Sequence, residues 1–327
     1  ESLLGRTSLG FVIRDERIRS TKLGKLLPED EWQATGGHDG EDDKFYKYRD
    51  QRANVSAFLE HDVLLKQWTV SLGLMANLND GLDTKWRFYP GIDVSYRPTE
   101  AWKLFVSWNM GLRMPTFTDL YYSGANIEGN SELKPEKTTD YQIGGRYTTR
   151  GFIAEVQGFY SHKKNMIDWV TYNDANKVSD GIFHSVNFQM DNKGAEINLQ
   201  MLLRQLWGDN ALVRKIGVQY SYIYEESDYD VDVIMSKYAM DYLRHKVIVS
   251  ADSKIWKNLN LNLSWRWQDR EGKSNPAYAL LDGRLSWDTA KWSAYIDGSN
   301  IFDKKYYDYV SIPQPGSGFR FGVRFSL

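Results

Sequence analysis

Large apolar residues recur at every second position along most of the chain. The clearest stretch runs from 258 to 268, where the alternate residues are Leu259, Leu261, Leu263, Trp265 and Trp267 and every residue between them is polar. A helix would scatter these side chains around its axis, whereas a strand places alternate residues on one face. Because the same alternation recurs over 195–203, 216–224 and 319–327, the pattern predicts β-structure and no helix of any length.

Marking every such segment predicts an all-β chain of about fourteen strands. The predicted ranges are 6–21, 47–62, 67–79, 85–97, 101–111, 137–149, 151–162, 186–203, 213–226, 242–253, 258–269, 278–288, 291–301 and 318–327. Most of these segments are as long as a tilted membrane-spanning strand, which needs about nine to eleven residues, whereas strands of soluble proteins average about five or six. Their length therefore favours a transmembrane barrel over a soluble sandwich.

The connections between the predicted strands alternate in length. The short ones lie around 65–66, 98–100, 149–151, 253–257 and 289–290, with 204–212 longer, and the long ones include 22–46, 112–136, 163–185, 227–241 and 302–317. Four tryptophans stand at strand ends beside short turns: Trp68, Trp102, Trp256 and Trp292. Short periplasmic turns, long outer loops and interfacial aromatic girdles are typical of bacterial outer-membrane barrels. The sequence therefore predicts an antiparallel transmembrane β-barrel whose C-terminus lies on the periplasmic side.

Composition removes several other classes of protein. The 327 residues contain 41 Lys and Arg against 43 Asp and Glu, which gives no electrostatic basis for binding nucleic acid. The absence of cysteine excludes disulfides, thiolate metal sites and a cysteine nucleophile. No apolar run approaches the roughly 18 residues of a membrane-spanning helix. The five histidines show no metal or Ser-His-Asp spacing, so we predict no enzyme; a barrel hydrolase with a triad assembled from separate strands is the alternative.

Several motifs resemble those of TonB-dependent outer-membrane receptors. They are LRMPTFTDLYY at 112–122, GNSELKPEK at 129–137, the strand and loop at 158–169, and NIFDKKYY at 300–307. The last eight residues resemble the C-terminal insertion signal of outer-membrane proteins, although Leu327 stands where the family usually has Phe. Within the family, residues 2–10 and 312–316 are most similar to cobalamin receptors of Bacteroidetes. The turn and breaker residues in these motifs also fit a purely structural role in the loops.

The resemblance implies a larger protein and a transport function. Members of this family carry a plug domain ahead of a 22-stranded barrel, so residues 1–327 are expected to be the C-terminal part of the barrel, without the plug and the first strands. The implied function is import of a large scarce nutrient, first a corrinoid and second a siderophore. The implied partners are the TonB-ExbB-ExbD complex acting through the plug, and a surface lipoprotein lid. The alternative is a closed fourteen-stranded passive channel, in which the strand at 6–21 pairs with the strand at 318–327.

Two sets of loop residues are the predicted site residues. Aromatic side chains offer large amphipathic contact area to a ligand; the alternative is that they form an outer girdle or pack loops together. The aromatic set is Tyr121, Tyr122, Trp169, Tyr172, Tyr306, Tyr307 and Tyr309. Clustered carboxylates are the hard oxygen ligands that calcium prefers, although neither acidic loop has EF-hand spacing and simple solvation is the alternative. The acidic set is Asp39, Glu41, Asp42, Asp43, Asp228, Asp230 and Asp232. No other cofactor is predicted.

Overall fold

Fourteen long strands dominate the computed structural model, which describes residues 5–36, 44–81, 84–173, 181–209, 211–238, 242–271, 276–309 and 312–325. They are β1 (Arg6–Ser20), β2 (Tyr48–Leu64), β3 (Trp68–Asn79), β4 (Arg87–Tyr96), β5 (Trp102–Arg113), β6 (Glu136–Thr148), β7 (Phe152–Asn173), β8 (Phe183–Met201), β9 (Val213–Asp228), β10 (Leu243–Trp256), β11 (Leu259–Arg270), β12 (Tyr278–Asp288), β13 (Trp292–Ser299) and β14 (Gly318–Phe325). The predicted strands are confirmed, and so is the alternation of their connections except at 163–185, where the strands extend further.

Short elements lie in the connections, where the sequence predicted no helix. The two short helices are α1 (Phe117–Tyr121) and α2 (Leu203–Trp207), and a 3-10 turn spans Glu29–Glu31. The short strands are Lys25–Leu26, Gln33–Ala34, Phe45–Tyr46, Ser123–Gly124, Ile127–Glu128, Asp232–Ser236, Tyr307–Tyr309 and Ile312–Pro313. No helix in the described ranges is long and apolar enough to span a membrane.

The long strands form one continuous antiparallel sheet in chain order. Each strand from β1 to β13 pairs with the next, so every inner strand has a hydrogen-bonded neighbour on both sides. Among the described residues, β1 pairs along its length with β2 alone and β14 with β13 alone. The β1–β14 pairing that would close a fourteen-stranded channel is not present in these ranges.

The register aligns large apolar residues of neighbouring strands on one side of the sheet, here called the apolar face. In one row Val94 lies opposite Val106, which lies opposite Ile143 on the next strand. These side chains face outward rather than into a core, since Val106 is 49% and Ile143 67% exposed. The opposite side, here called the polar face, carries hydrogen-bonded pairs such as Gln142 to Gln157 at 2.8 Å. An apolar outer surface with a polar inner one is the arrangement of a membrane barrel wall.

Aromatic rings collect on the apolar face beside the short turns. Trp68 stacks on Tyr96 with ring centroids 4.3 Å apart, and Trp102 lies 4.7 Å from Tyr147. Trp256 meets Trp287 edge-on at 6.0 Å, and Trp292 stands opposite Phe325 in the register. The four tryptophans that the sequence placed at this boundary do lie there, and Trp68, Trp102 and Trp256 contact a neighbouring ring.

Strands β7 and β8 extend well beyond their neighbours on the long-loop side. They contain 22 and 19 residues, and their pairing continues past an irregularity between Lys163 and Met166. The predicted loop at 163–185 is therefore wrong over most of its length, because cross-strand pairing holds these residues in strands. Trp169 and Tyr172 lie in β7 and not in a loop. The short strands Asp232–Ser236 and Ile127–Glu128 pair with β7 and β8, so two neighbouring loops attach to this extended hairpin.

A charge placed on the apolar face should destabilise the folded protein far more than one on the polar face. For Ile143→Arg in the intact receptor folded in bilayers, we expect the free energy of unfolding to fall by about 2–4 kcal/mol, because this position is near the middle of the apolar band. Gln142→Arg, one residue away on the polar face, should cost at most about 1 kcal/mol, the value of one hydrogen bond. Denaturant titration measures both, and equal losses would contradict the assignment of the faces.

Candidate functional site

The loop between β5 and β6, residues 114–135, is folded tightly at the long-loop end of the sheet. Its helix α1 begins with a reciprocal cap: the Thr116 hydroxyl accepts the Asp119 backbone N–H at 3.1 Å, and the Asp119 carboxylate accepts the Thr116 N–H at 2.9 Å. Such a cap satisfies backbone donors that a helix start leaves unpaired. The TFTD part of the motif thus explains why a helix forms here.

A buried carboxylate fixes both ends of this loop. Glu136 is 5% exposed and forms a forked ion pair with Arg113, with one Nε–oxygen distance of 2.6 Å. The same carboxylate accepts the backbone N–H of Ile167 at 2.9 Å. Since these residues lie on β5, β6 and β7, the Arg and Glu of the motif join three strands where the loop leaves the sheet.

Strand β8 holds the rest of the loop. The Ser185 hydroxyl donates to the Asp119 carbonyl at 2.7 Å. The Asn187 side chain accepts the Lys134 N–H at 2.8 Å and donates to the Lys134 carbonyl at 3.1 Å. These contacts of Lys134 agree with a structural role for the GNSELKPEK segment in shaping the loop. Asn300 makes similar contacts in the NIFD motif. Its side-chain amide accepts the Lys304 N–H and donates to the Lys304 carbonyl, and both hydrogen bonds stabilise the turn.

A cleft of about 570 Å³ lies between this loop and the long-loop end of β2. Its lining includes Lys25, Asp50, Arg52, Tyr121, Tyr122 and Glu128, together with residues of the 129–133 turn. The volume falls within the range of small-molecule sites, about 300–1,000 Å³. Two aromatic rings and charged side chains of both signs line this cleft.

Contacts between β2 and α1 set the shape of the cleft. The Tyr121 hydroxyl donates to the Asp50 carboxylate at 2.6 Å, and Lys25 lies 3.7 Å from the same carboxylate. Arg52 donates to the Pro115 carbonyl at 2.7 Å and lies 4.7 Å from the Phe117 ring centre. Burial, and next the hydrogen bond to Asp50, raise the pKa of Tyr121 above its ordinary value. Its hydroxyl therefore remains a donor at neutral pH.

Three of the predicted aromatic residues lie at or near the cleft. Tyr121 and Tyr122 line it, and Tyr122 is 38% exposed. Tyr172 packs against the His184 ring at 5.4 Å, and His184 lies 3.6 Å from Glu128, which lines the cleft. Sequence patterns did not identify the cleft residues Lys25, Asp50, Arg52 and Glu128, since no motif marks them and only the fold brings them to Tyr121.

The other aromatic residues lie elsewhere. Trp169 is 5% exposed, and the Lys237 ammonium lies 5.7 Å from its ring centre. Tyr306 packs on Tyr278 at 4.7 Å in the connection between β13 and β14, and Tyr307 in that connection is 40% exposed. Tyr309 lies in a short strand of the same connection, paired with Ile312.

The acidic residues are only partly within the described structure. Asp39, Glu41, Asp42 and Asp43 lie outside the described residues. Asp228 and Asp230 line a groove with Lys134 and Lys164, while Asp232 accepts the Asn173 amide at 3.2 Å. No group of three or more His, Asp or Glu side chains in the described ranges is arranged to hold a metal ion. The calcium site stays a prediction.

Loss of Arg113 should loosen the 114–135 loop. Arg113→Ala leaves the buried Glu136 carboxylate without its cation, a cost on the order of 3 kcal/mol. Opening of the loop should then become about a hundredfold more frequent, so chymotrypsin should cleave after Phe117, Tyr121 or Tyr122 faster by that factor. The matched control is Arg146→Ala, which removes the exposed pair with Glu155 at 3.8 Å and should cost at most about 1 kcal/mol. Equal cleavage of both variants would refute the role of this pair.

Comparison with known proteins agrees with the fold. Residues 14–301 match the family model described as TonB dependent receptor-like, beta-barrel. The vitamin B12 transporter BtuB of Photobacterium profundum is 24% identical over 264 residues, which are 79% of this chain and 40% of that protein.

Solved structures of receptors superpose on the whole sheet. The siderophore receptor PirA from Acinetobacter baumannii gives a TM-score of 0.71 at 15% identity, covering 100% of this chain and 53% of that one. The ferric enterobactin receptor PfeA from Pseudomonas aeruginosa, in complex with BCV-L6, gives 0.70 at 17% identity, covering 97% and 51%. At these identities the structures establish the fold alone, and the chain spans about two fifths to about half the length of these proteins. Since the family match covers most of its residues, the chain belongs to the β-barrel part of the TonB-dependent receptors, a family of outer-membrane receptors and transporters.

Proposed function

We propose that this chain supplies barrel wall and ligand-binding loops to a receptor that imports a corrinoid across the outer membrane. The observation that carries the proposal is the cleft formed by Tyr121, Tyr122, Asp50 and Arg52 at the long-loop end of the sheet. The sequence similarity to a vitamin B12 transporter supports the choice of ligand.

The chemistry of the cleft fits a bulky amphipathic molecule. A corrinoid presents a broad ring edged with amide side chains. The exposed Tyr122 ring can cover part of that ring system, and the polar groups of Lys25, Ser131 and Glu132 line the same cleft and can bond amides. Tyr121, Asp50 and Arg52 already bond one another or the loop backbone, so they present a preformed wall. Preformed walls reduce the entropy that binding costs.

The proposed transport needs polypeptide beyond the described sheet. We propose that further barrel strands pair with β1 and β14, whose outer edges have no strand partner in the described ranges. Unpaired strand edges are not tolerated in lipid, which supports this arrangement. The plug domain would occupy the polar face and connect to the TonB-ExbB-ExbD complex, which supplies the energy. A surface lipoprotein lid is proposed over the long loops.

The proposed orientation follows from the connections. All long connections leave the sheet at the end that carries the cleft, so we place that end outside the cell. The paired tryptophan rings and the last residues of β14 lie at the other end, which we place toward the periplasm. Short turns on the periplasmic side are general for bacterial outer-membrane barrels.

A siderophore is the second candidate ligand. The structural neighbours include a siderophore receptor and a ferric enterobactin receptor, and each shares the fold over nearly the whole chain. Lys25 at the cleft could serve an anionic chelate.

Corrinoid binding should depend on the cleft and not on the connection between β13 and β14. Calorimetric titration of cyanocobalamin into the intact receptor in detergent should show tight binding. Tyr122→Ala should raise the dissociation constant about tenfold or more, as loss of an aromatic anchor does. Tyr307→Ala is the control, because its exposure of 40% matches the 38% of Tyr122. If the intact receptor does not bind cyanocobalamin, a siderophore is the favoured ligand. If Tyr307→Ala raises the dissociation constant more than Tyr122→Ala does, the site lies in the connection between β13 and β14.

We also propose that calcium orders the acidic loops. If Asp39, Glu41, Asp42, Asp43, Asp228, Asp230 and Asp232 contribute ligands, removal of calcium with a chelator should weaken corrinoid binding, because the loops then lose their cross-link. Titration of calcium into the intact receptor should release heat that Asp42→Asn together with Asp43→Asn diminishes. Unchanged heat and unchanged corrinoid affinity would exclude this role for the acidic residues.

A further inference from the structure

The charged side chains that line the cleft are not balanced. The lining has three carboxylates against two cations: Asp50, Glu128 and Glu132 against Lys25 and Arg52. A ligand in the cleft responds to the charges that it can reach and that no neighbour already neutralises. The partners of each of the five groups therefore decide which ligand charge the cleft accepts.

Both cations are engaged by carboxylates of the wall. Arg52 is only 7% exposed, and its Nε donates to Glu16 at 2.5 Å. Glu16 also lies 2.8 Å from Arg14, which is not part of the cleft lining. Lys25 is exposed, but its ammonium lies 3.7 Å from the Asp50 carboxylate. The described lining thus offers an anionic ligand one exposed cation, and that cation already has a negative partner beside it.

The other two carboxylates have no such cation. The Glu132 carboxylate accepts the hydroxyl of its neighbour Ser131 at 3.5 Å. The Glu128 side chain is 59% exposed and lies 3.6 Å from the His184 ring, which offsets its charge only when the ring is protonated. No lysine or arginine of the described ranges lies within ion-pair distance of either carboxylate. Glu128 and Glu132 therefore present negative charge to whatever enters the cleft.

The backbone around the two glutamates is fixed against α1. The Gly129 N–H donates to the Tyr122 carbonyl at 2.6 Å, and the Asn130 N–H donates to the Asp119 carbonyl at 3.0 Å. The Asn130 side chain accepts the Glu132 N–H at 2.9 Å. Gly129 packs so closely that a Cβ there would lie 2.9 Å from the Tyr122 nitrogen. The two carboxylates are consequently held at the cleft and do not belong to a free loop.

We propose that Glu128 and Glu132 make the cleft select neutral or cationic ligands edged with N–H donors and reject anionic ones. A carboxylate only accepts hydrogen bonds, so it complements the amide N–H groups at the edge of a corrinoid. An anionic chelate presents further acceptors of the same charge, and an unfavourable contact of this kind is how a site discriminates against a wrong ligand. The inference rests on the proposed function and deepens it, because it separates the two candidate ligands.

Corrinoids of different charge test this selection. The intact receptor in detergent is titrated calorimetrically with cyanocobalamin, with each of its monocarboxylates, in which one peripheral amide is hydrolysed, and with the ethylenediamine amides of those acids, which carry a positive charge. At low salt the most weakened monocarboxylate should bind about fivefold more weakly than cyanocobalamin, as two unpaired charges acting across about 8 Å of water require. The cationic amides should bind at least as tightly as cyanocobalamin. At 1 M salt the differences should fall to within about twofold.

Variants of the two glutamates assign the effect to them. Glu128→Gln with Glu132→Gln keeps the shape of both side chains and should bring the monocarboxylates to within about twofold of cyanocobalamin. Glu132→Lys should reverse the preference, which a merely structural role of this residue would not do. The matched control is Glu29→Gln with Glu31→Gln, which removes two exposed carboxylates outside the cleft lining and should leave the preference unchanged.

The outcomes distinguish this inference from the proposed function. If cyanocobalamin binds tightly and every monocarboxylate binds equally well, the selection by charge is wrong although the corrinoid function stands. A fivefold difference that persists in the double glutamine variant would likewise overturn the assignment to Glu128 and Glu132. Binding of ferric enterobactin, an anionic chelate, without binding of any corrinoid would overturn the proposed function and the inference together.

Discussion

The requirement that every backbone polar group in lipid be hydrogen-bonded governs this structure. The sequence meets it with an antiparallel ladder of fourteen long strands in which each inner strand is paired on both sides. In this ladder successive side chains of a strand point to opposite faces. The register between strands therefore decides, together with the residue types, which side chains meet lipid. The row from Val94 through Val106 to Ile143 shows this, because a one-residue slip of β5 would replace Val106 in the row with a residue of the polar face.

The long-loop end of the sheet is organised by the extended hairpin of β7 and β8. Ser185 and Asn187 hold the loop that carries α1, and Ser236 and Tyr229 donate to the buried carboxylate of Asp168 on β7. Burial, and next the charge of Asp168, raise the pKa of Tyr229, so its hydroxyl stays a donor at neutral pH. These polar groups, which hold the loops beside the hairpin, are therefore already hydrogen-bonded. Loops that are held in this way can carry functional residues in fixed positions.

The sequence predicted the strands, the alternating connections and the lower aromatic band because each depends on local alternation. It failed where long-range pairing overrides local signals. Trp169 read as a loop residue, yet pairing with Ser185 holds it in β7. The cleft could be predicted only in part. Tyr121 and Tyr122 lie in a recognisable motif, whereas Asp50 reaches Tyr121 only because β2 and α1 are brought together across 71 positions of sequence. The sequence also did not predict that Asp228 and Asp230 share a groove with Lys134 and Lys164.

The central claim is that one face of the wall meets lipid and the other meets water. A scan of single cysteines along Leu259–Arg270 of β11 tests it, since the chain itself has no cysteine. In the intact receptor in bilayers, cysteines at 259, 261, 263, 265 and 267 should react with a lipid-soluble reagent only. Cysteines at 260, 262, 264 and 266 should instead react with a water-soluble maleimide, which approaches from the polar face. Labelling without this alternation, or with a helical period, would contradict the account.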